Sequence, residues 1–485
     1  MFTCAPDDQS GPQSAGRLFH TPVFARLNRR LAAKFSLLSG ANATLSAFAF
    51  AAGSGGASTC ASAPSDAPIA FTNVRVFDGK SDALRSGLCV VVNGNIIKAV
   101  GPAEGALDTN VRIVDCGGRV LMPGLIDAHW HAMMAAAALN VLMTADVGYL
   151  NLAAAEEAKR TLMRGFTSVR DMAGPTFGLK RAIDEGITVG PRIWPSGAMI
   201  SQTGGHGDFR FPYEIPAAPN APLTHADAIG AGAIADGVDR VLTCAREQLM
   251  LGASQLKLAA GGGVSSNYDP IDVSQYTEAE FRAAVDAAEN WGTYVAVHAY
   301  TPRAIKAAIR GGVRCIEHGN LMDEATARLI ADNDVWLCAQ PFVNNEFANP
   351  QPTADAEAKA QQLYAGTDAA YCLAKKYKLK TAWGTDILFD PQMTANQGGM
   401  LTTLVRWYSP AEILKMATAV NGELLAMSGP RNPYPGKLGV VEEGALADLI
   451  LVDGDPLENL NLIADPEKSF VLIMKDGRMV KNALT

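Results

Sequence analysis

Polar and apolar positions divide the chain beyond residue 68 into three textures. Ile69-Ala-Phe-Thr-Asn-Val-Arg-Val-Phe alternates and stops at Asp78-Gly79, the two-residue period of a strand with one buried face. Cys89-Val-Val-Val runs into Asn93-Gly94-Asn95, and Ile96-Ile-Lys-Ala-Val100 returns. An Asn-Gly between apolar runs predicts a hairpin. Val111–Cys116 and Arg119–Met122 add strand patterns that lead into Leu121-Met-Pro-Gly-Leu-Ile-Asp-Ala-His-Trp-His131, read as one apolar strand. The first texture returns at the far end: Ala447–Val452 closes at Asp453-Gly-Asp-Pro456, and Val471–Val480 turns at Asp476-Gly477. Residues 69–120 and 433–485 are expected to form one small β-sandwich domain from both chain ends.

Between them, residues 121–432 alternate short apolar segments with helical patterns. After the His-x-His strand come Gly165–Met172, Pro191–Ser201, Ala253–Ala260, Thr293–Tyr300, Cys315–Asn320, Val335–Phe342 and Lys380–Asp386. Thr277 with Glu280 three residues on is a capping box at the start of one intervening helix. Eight strands alternating with helices predict an α/β fold, a (β/α)8 TIM-type barrel. A doubly wound open sheet is the alternative, but no Gly-rich phosphate loop follows the first strand.

Ahead of Ile69 the order is different. Arg26, Arg29, Arg30 and Lys34 precede an apolar run from Phe35 to Ala52, and small residues follow from Gly53 to Ala63. Basic, apolar, small is the order of a secretory signal. Residues 1–68 are expected to be a signal peptide or a disordered tail, which places the protein in the periplasm or outside the cell; the alternative is cytoplasmic. No other stretch has the roughly 20 unbroken apolar residues of a membrane span. With 48% apolar and 19% charged residues and a net charge of −8, the chain reads as a soluble globular protein without a nucleic-acid surface. Its eight cysteines contain no Cys-x-x-Cys pair, so neither a zinc ribbon nor a redox motif is indicated.

The chemistry lies where these strands end. Alternation puts His129 and His131 on one side of their strand, and paired imidazoles suit a divalent metal. Lys257 lies near the end of the fourth strand, His298 ends the fifth, His318 the sixth and Asp386 the eighth. In a barrel of this type, strand ends carry the catalytic groups. Lys257 sits between apolar neighbours, where an ammonium is costly to bury. As a neutral amine it would combine with carbon dioxide to form a carbamate, an anion able to bridge two metals. His206 sits in Thr203-Gly-Gly-His-Gly-Asp208, where flanking glycines let the backbone approach a ligand; it is a candidate for contact with substrate or its carbonyl oxygen. Tyr300 shares the face of His298 and is a second candidate, as donor to a carbonyl or carboxylate. Tyr268 and Arg303 are lesser ones. His225 has no assigned role.

This constellation resembles the amidohydrolase superfamily of metal-dependent hydrolases over residues 69–485. The carriers are Pro-Gly-Leu-Ile-Asp-Ala-His-Trp-His, the strand-four lysine, two single histidines and Gly-Thr-Asp386. The Lys257 segment and Glu317-His318-Gly319 are similar to the branch containing imidazolonepropionase-like proteins, Xaa-Pro dipeptidases and ochratoxin-degrading amidases. The resemblance implies two divalent metals, usually zinc, bridged by carbamylated Lys257. His129, His131, Lys257 and Asp386 would hold the inner metal; Lys257, His298 and His318 the outer. It also implies a homo-oligomer. Where relatives often carry His-Ala-His, this chain has His298-Ala-Tyr300.

The expected reaction is hydrolysis of an amide by a metal-bridging hydroxide, with Asp386 as proton shuttle. Loops Gly204–Leu223 and Val343–Lys359 hold Phe209, Phe211, Pro212, Tyr213 and Phe347, which suits a hydrophobic or aromatic substrate group. A dipeptide or N-acyl amino acid is the first expectation, and an ochratoxin-type amide fits it. Opening of a cyclic amide or ureide, as by imidazolonepropionases and hydantoinases, is the alternative. A one-metal deaminase and a metal-free assembly protein are further readings, which metal content separates from the first.

Overall fold

The structure is a computed structural model and describes residues 67–102, 110–215 and 223–484. The expected leader or tail lies outside the described residues except for its last two positions. Five strands open the described chain: β1 (Ile69–Val76), β2 (Arg85–Asn93), β3 (Ile96–Pro102), β4 (Arg112–Asp115) and β5 (Val120–Pro123). Three strands near its end join them in one sheet, in the order β18-β17-β16-β5-β1-β2-β3, with β4 on β1. These three are β16 (Leu449–Val452), β17 (Phe470–Lys475) and β18 (Arg478–Asn482). The β5–β16 pairing joins the two ends of the chain. The sheet curls: Ile97 N donates to Ala445 O and Ala447 N to Asn95 O, each at 2.8 Å. Its interior holds Phe71, Val90, Ile97, Leu121, Leu451 and Leu472, all fully buried. The two layers of the expected sandwich are two flanks of this curled sheet.

The stretch Leu121–His131 is not one strand. It breaks at Gly124, passing from β5 in the sheet to β6 (Leu125–Trp130) in the barrel. A Cβ at Gly124 would lie 2.1 Å from Thr167 Oγ1, so only glycine lets the crossing pack this close. β7 (Phe166–Asp171) and β8 (Arg192–Pro195) continue parallel to β6. The expected strand Pro191–Ser201 likewise splits, because Gly197 turns the chain at φ +73. Its second half, β9 (Met199–Ser201), pairs with β10 (Gly232–Ile234), a strand with too little apolar sequence to stand out. Then follow β11 (Leu256–Ala259), β12 (Val295–Ala299), β13 (Cys315–His318), β14 (Trp336–Ala339) and β15 (Thr381–Trp383), all parallel.

Leaving out β9 and β10, these make the eight strands of a (β/α)8 TIM-type barrel, with the sheet domain attached. The ladder has two seams. Ser254 N donates to Pro195 O between β8 and β11, and Asp386 N to His129 O between β15 and β6, each at 2.8 Å. Helices separate the strands, and several start on side-chain caps: Thr277, Thr301, Asp323 and Thr353 accept from the first turn. The Thr353 cap shortens the second expected loop, since Ala354–Lys376 is helix. Among the described residues, no helix is long and apolar enough to cross a membrane.

Candidate active site

Five strand ends converge on one point. His129 at the end of β6 and His131 just beyond it have ring centroids 5.2 Å apart. Asp386, past β15, places Oδ1 3.0 Å from His131 Nε2 and 3.3 Å from His129 Nε2. His318, the last residue of β13, has its ring 5.0 Å from that of His129 and 4.6 Å from that of His298 on β12. Lys257 on β11 points in from the fourth strand, with Nζ 3.4 Å from His129 Nε2. All six lie in the wall of one cavity of about 700 Å³.

The donor atoms suit cations. One donor atom each from His129, His318 and Asp386 lies within 4.8 Å of the others. His129 Nδ1 is held by Glu317 Oε2 at 2.8 Å and His318 Nδ1 by Gln340 Oε1 at 2.6 Å. Each ring therefore keeps Nε2 free for the cavity, the arrangement metal-binding histidines require. His298 Nε2 lies 3.0 Å from Gly262 O, which leaves its Nδ1. Burial, then neighbouring charge, holds His298 well below the usual histidine range; burial does the same for His318 despite Asp386. Both imidazoles are therefore kept neutral, the form that can ligate a cation. Burial disfavours ionised Asp386, but His129, His131 and His318 outweigh it and keep the carboxyl well below its usual range. Burial lowers Lys257, opposed by Glu317 and Asp386. Its amine has a histidine nitrogen as its sole hydrogen-bond partner among the described residues. An ammonium would be badly solvated there, whereas a neutral amine or a carbamate between cations fits.

Around this set lie residues to which the sequence reading gave no role of their own. Glu317 is fully buried and accepts both of its short Arg170 contacts at 2.8 Å. Burial works against its charge, but Arg170 and His129 hold the carboxyl far below the usual range. Asp127 accepts from His129 N, Thr385 Oγ1 and Gln397 Nε2, fastening β6 to the loop that carries Asp386. Asp171 accepts from Ala132 N at 2.7 Å, just past His131, and burial pushes its carboxyl up to about 7. Glu317 and Arg170 were visible as charges inside apolar strands; that they face each other depends on strand order.

The remaining expected contacts sort unevenly. His206 stacks on His298 with centroids 3.9 Å apart. Tyr300 lies T-shaped against His298 at 4.6 Å and is buried, which raises its hydroxyl well above the usual range. Tyr268 lines the cavity, but its hydroxyl is spent on Arg210 O at 2.7 Å. Phe209, Phe211 and Phe347 also line it, joined by Phe342 and Phe389. Tyr213 does not: it is exposed and stacks on Phe211. Arg303 lies in a separate outer groove with Lys306 and Arg310. His225 Nε2 lies 3.3 Å from Leu142 O, away from the cluster.

Comparison with known proteins gives the same assignment. Residues 120–480 match the model of the amidohydrolase family. Ochratoxinase of Aspergillus niger is 30% identical over 427 residues, covering 83% of this chain and 84% of that protein. A prolidase solved with N-methylphosphonate-L-proline is 34% identical with a TM-score of 0.76, over 86% of this chain and 100% of its own. A Xaa-Pro dipeptidase with methionine in its active site is 26% identical with a TM-score of 0.73, over the same shares. The chain belongs to the amidohydrolase family and is a hydrolase of amide bonds.

Proposed function

We propose that the chain hydrolyses the amide bond of a dipeptide or N-acyl amino acid that carries a hydrophobic or aromatic group. The observation that carries this reading is the aromatic wall of Phe209, Phe211, Phe342, Phe347 and Phe389 around the histidine cluster. A pocket of this size and lining takes a small amphiphilic molecule. The similarity to an ochratoxinase, a prolidase and a Xaa-Pro dipeptidase supports the same class.

In this reading His129, His131, Lys257 and Asp386 would hold one divalent cation, and Lys257, His298 and His318 a second. Zinc is the proposed metal, and Lys257 would serve as a ligand in its carbamate form. When bound, the cations supply Lewis acidity, polarising a carbonyl and acidifying a water. The Asp386 carboxylate takes the proton lost by the attacking water and returns it to the leaving nitrogen, which leaves poorly unless protonated. The Tyr300 hydroxyl, kept protonated by burial, donates to the scissile carbonyl or a substrate carboxylate. His206, stacked on His298, contacts the substrate as well. Export, from the leader-like order of residues 1–68, and assembly as a homo-oligomer belong to the same proposal.

The test is metal content per chain together with a substrate panel. About two metals per chain, an added carboxylate on Lys257 by mass, and turnover of hydrophobic dipeptides are expected. Activity confined to hydantoin-type rings would refute the substrate class; one metal per chain and deamination would refute the mechanism.

A further inference from the structure

His206 is held more tightly than a substrate contact on a loop needs to be. Its backbone N donates to Gln275 Oε1 at 3.0 Å. Its Nδ1 lies 2.6 Å from Ser266 Oγ and 3.4 Å from Asp269 Oδ2. Asp269 is buried, and its Oδ2 accepts from Gly263 N at 2.6 Å. Lys359 Nζ donates to Ser266 O at 3.1 Å, tying this loop to the helix Ala354–Lys376. Even the space is prepared: a Cβ on Gly263 would lie 2.0 Å from His206 Nδ1. One face of the ring is covered by His298. Nε2 has no protein partner among the described residues, while the ring lines the cavity.

The proton inventory follows from these neighbours. An ionised carboxylate only accepts, and a serine hydroxyl has one proton to give. If Ser266 gave that proton to His206 Nδ1, the Asp269 carboxylate would face two lone pairs across a buried contact. If Ser266 gives it to Asp269, Nδ1–H donates to Ser266 Oγ and no two lone pairs face each other, although Asp269 Oδ1 keeps no partner among the described residues. Burial opposes the charge on Asp269, but His206, Ser266 and Gly263 outweigh it and keep the carboxyl below its usual range.

We propose that Asp269 and Ser266 are positioning residues that fix the Nδ1–H tautomer of His206, so that its bare Nε2 faces the cavity and accepts a hydrogen bond from the amine or amide N–H of the substrate. His206 is then a selector for a donor on the substrate rather than a donor to its carbonyl oxygen. The identity of that donor rests on the amide-hydrolase reading above; the tautomer does not.

The test is the 15N spectrum of the histidine rings in zinc-loaded enzyme, with His206→Gln identifying the signals. The expected result is a proton on Nδ1 and none on Nε2. A proton on Nε2 overturns the proposal. In Asp269→Asn the new amide donates where the carboxylate accepted, so the proton is expected to move to Nε2. Ser266→Ala leaves Asp269 as acceptor and is expected to keep it on Nδ1. An unchanged tautomer in Asp269→Asn would overturn the role of Asp269. Kinetically, Asp269→Asn is expected to raise KM for a free dipeptide about 10-fold with a smaller change in kcat; an equal loss in kcat alone would count against the binding role. The ring spectrum needs no substrate, so its failure is separate from an error in substrate class.

Discussion

Glu317→Gln separates what the buried ion pair does for the fold from what it does for the metal site. Both partners are inaccessible to water, and the carboxylate meets Arg170 and His129 at 2.8 Å. The substitution keeps the shape and removes the charge. Arg170 then faces only neutral groups and keeps its two shortest other contacts, Ala128 O and Tyr294 OH. Leaving a buried charge without its counterion costs about 3–5 kcal/mol. The expected loss lies near 3, because those two contacts survive and glutamine still accepts. His129 also loses the carboxylate that orients its ring, which lowers metal affinity by roughly 10–100-fold. Urea unfolding with chelator present reads the first effect, and a zinc titration reads the second.

The double variant Glu317→Leu with Arg170→Met divides the two. Replacing the whole pair by apolar groups is often close to neutral for stability, yet His129 remains unsupported. Stability is expected to return and metal affinity is not. The pH dependence has a definite sign. A carboxyl depressed in the folded state contributes stability above its unfolded pKa of about 4.3 and loses it only as pH falls towards the folded value. The gap between wild type and Glu317→Gln is therefore expected to stay level from pH 8 to about 5. A single variant within about 0.5 kcal/mol of wild type, with full metal content, would refute the reasoning.

Three further outcomes are expected. Asp386→Asn should lower turnover by roughly 10²-fold or more while metals stay bound; near-normal turnover in metal-replete protein would rule out the proton-carrying role. Gly384→Ala should lower the melting temperature and metal content together, because its Cβ would lie 2.3 Å from the backbone N of His129; overpacking of this kind costs about 1–3 kcal/mol. Phe209→Ala should raise KM several-fold for substrates with an aromatic group but not for alanine analogues, since Phe209 and Phe389 pack T-shaped at 5.8 Å in the cavity wall, a pair worth about 0.5–1.5 kcal/mol. Equal effects on both substrate types would contradict the aromatic pocket.

The strands were legible because their apolar runs are short, bounded and repeated, and because a histidine or an acid at a strand end stands out against valine and alanine. Their breaks were less legible. Gly124 and Gly197 each sit inside what reads as one apolar run, and a glycine there signals a break only once its neighbours are known, Thr167 against Gly124 and Gln248 and Phe177 against Gly197. The partners of the site residues were hidden for a related reason. Glu317 finds Arg170 at a sequence separation of 147, and His206 finds Ser266 at 60. Such pairings are set by strand order around the barrel, which no local pattern encodes. The loops misled in another way: Phe209 and Tyr213 are equivalent in composition, but one faces the cavity and the other faces water.

The residues most readable as chemistry were the least readable as conformation. His318 and Asp386 both have left-handed backbones, at φ +79 and φ +58, a region non-glycine residues enter at a cost of roughly 1–2 kcal/mol. His318 is the last residue of β13, and Asp386 lies three residues past the end of β15, where the chain leaves the ladder. A continued strand would alternate the next side chain away from the cavity. The left-handed residue instead turns the chain with its own side chain in the cavity wall, and neighbouring bonds hold it there: Gly319 N to Ala299 O at 3.0 Å and Asp386 N to His129 O at 2.8 Å. Local preference and site geometry therefore conflict where ligands are required, and the barrel supplies the compensation. Sequence identifies these residues by type because chemistry selects the type. Their backbone follows from contacts that exist only after the barrel has formed.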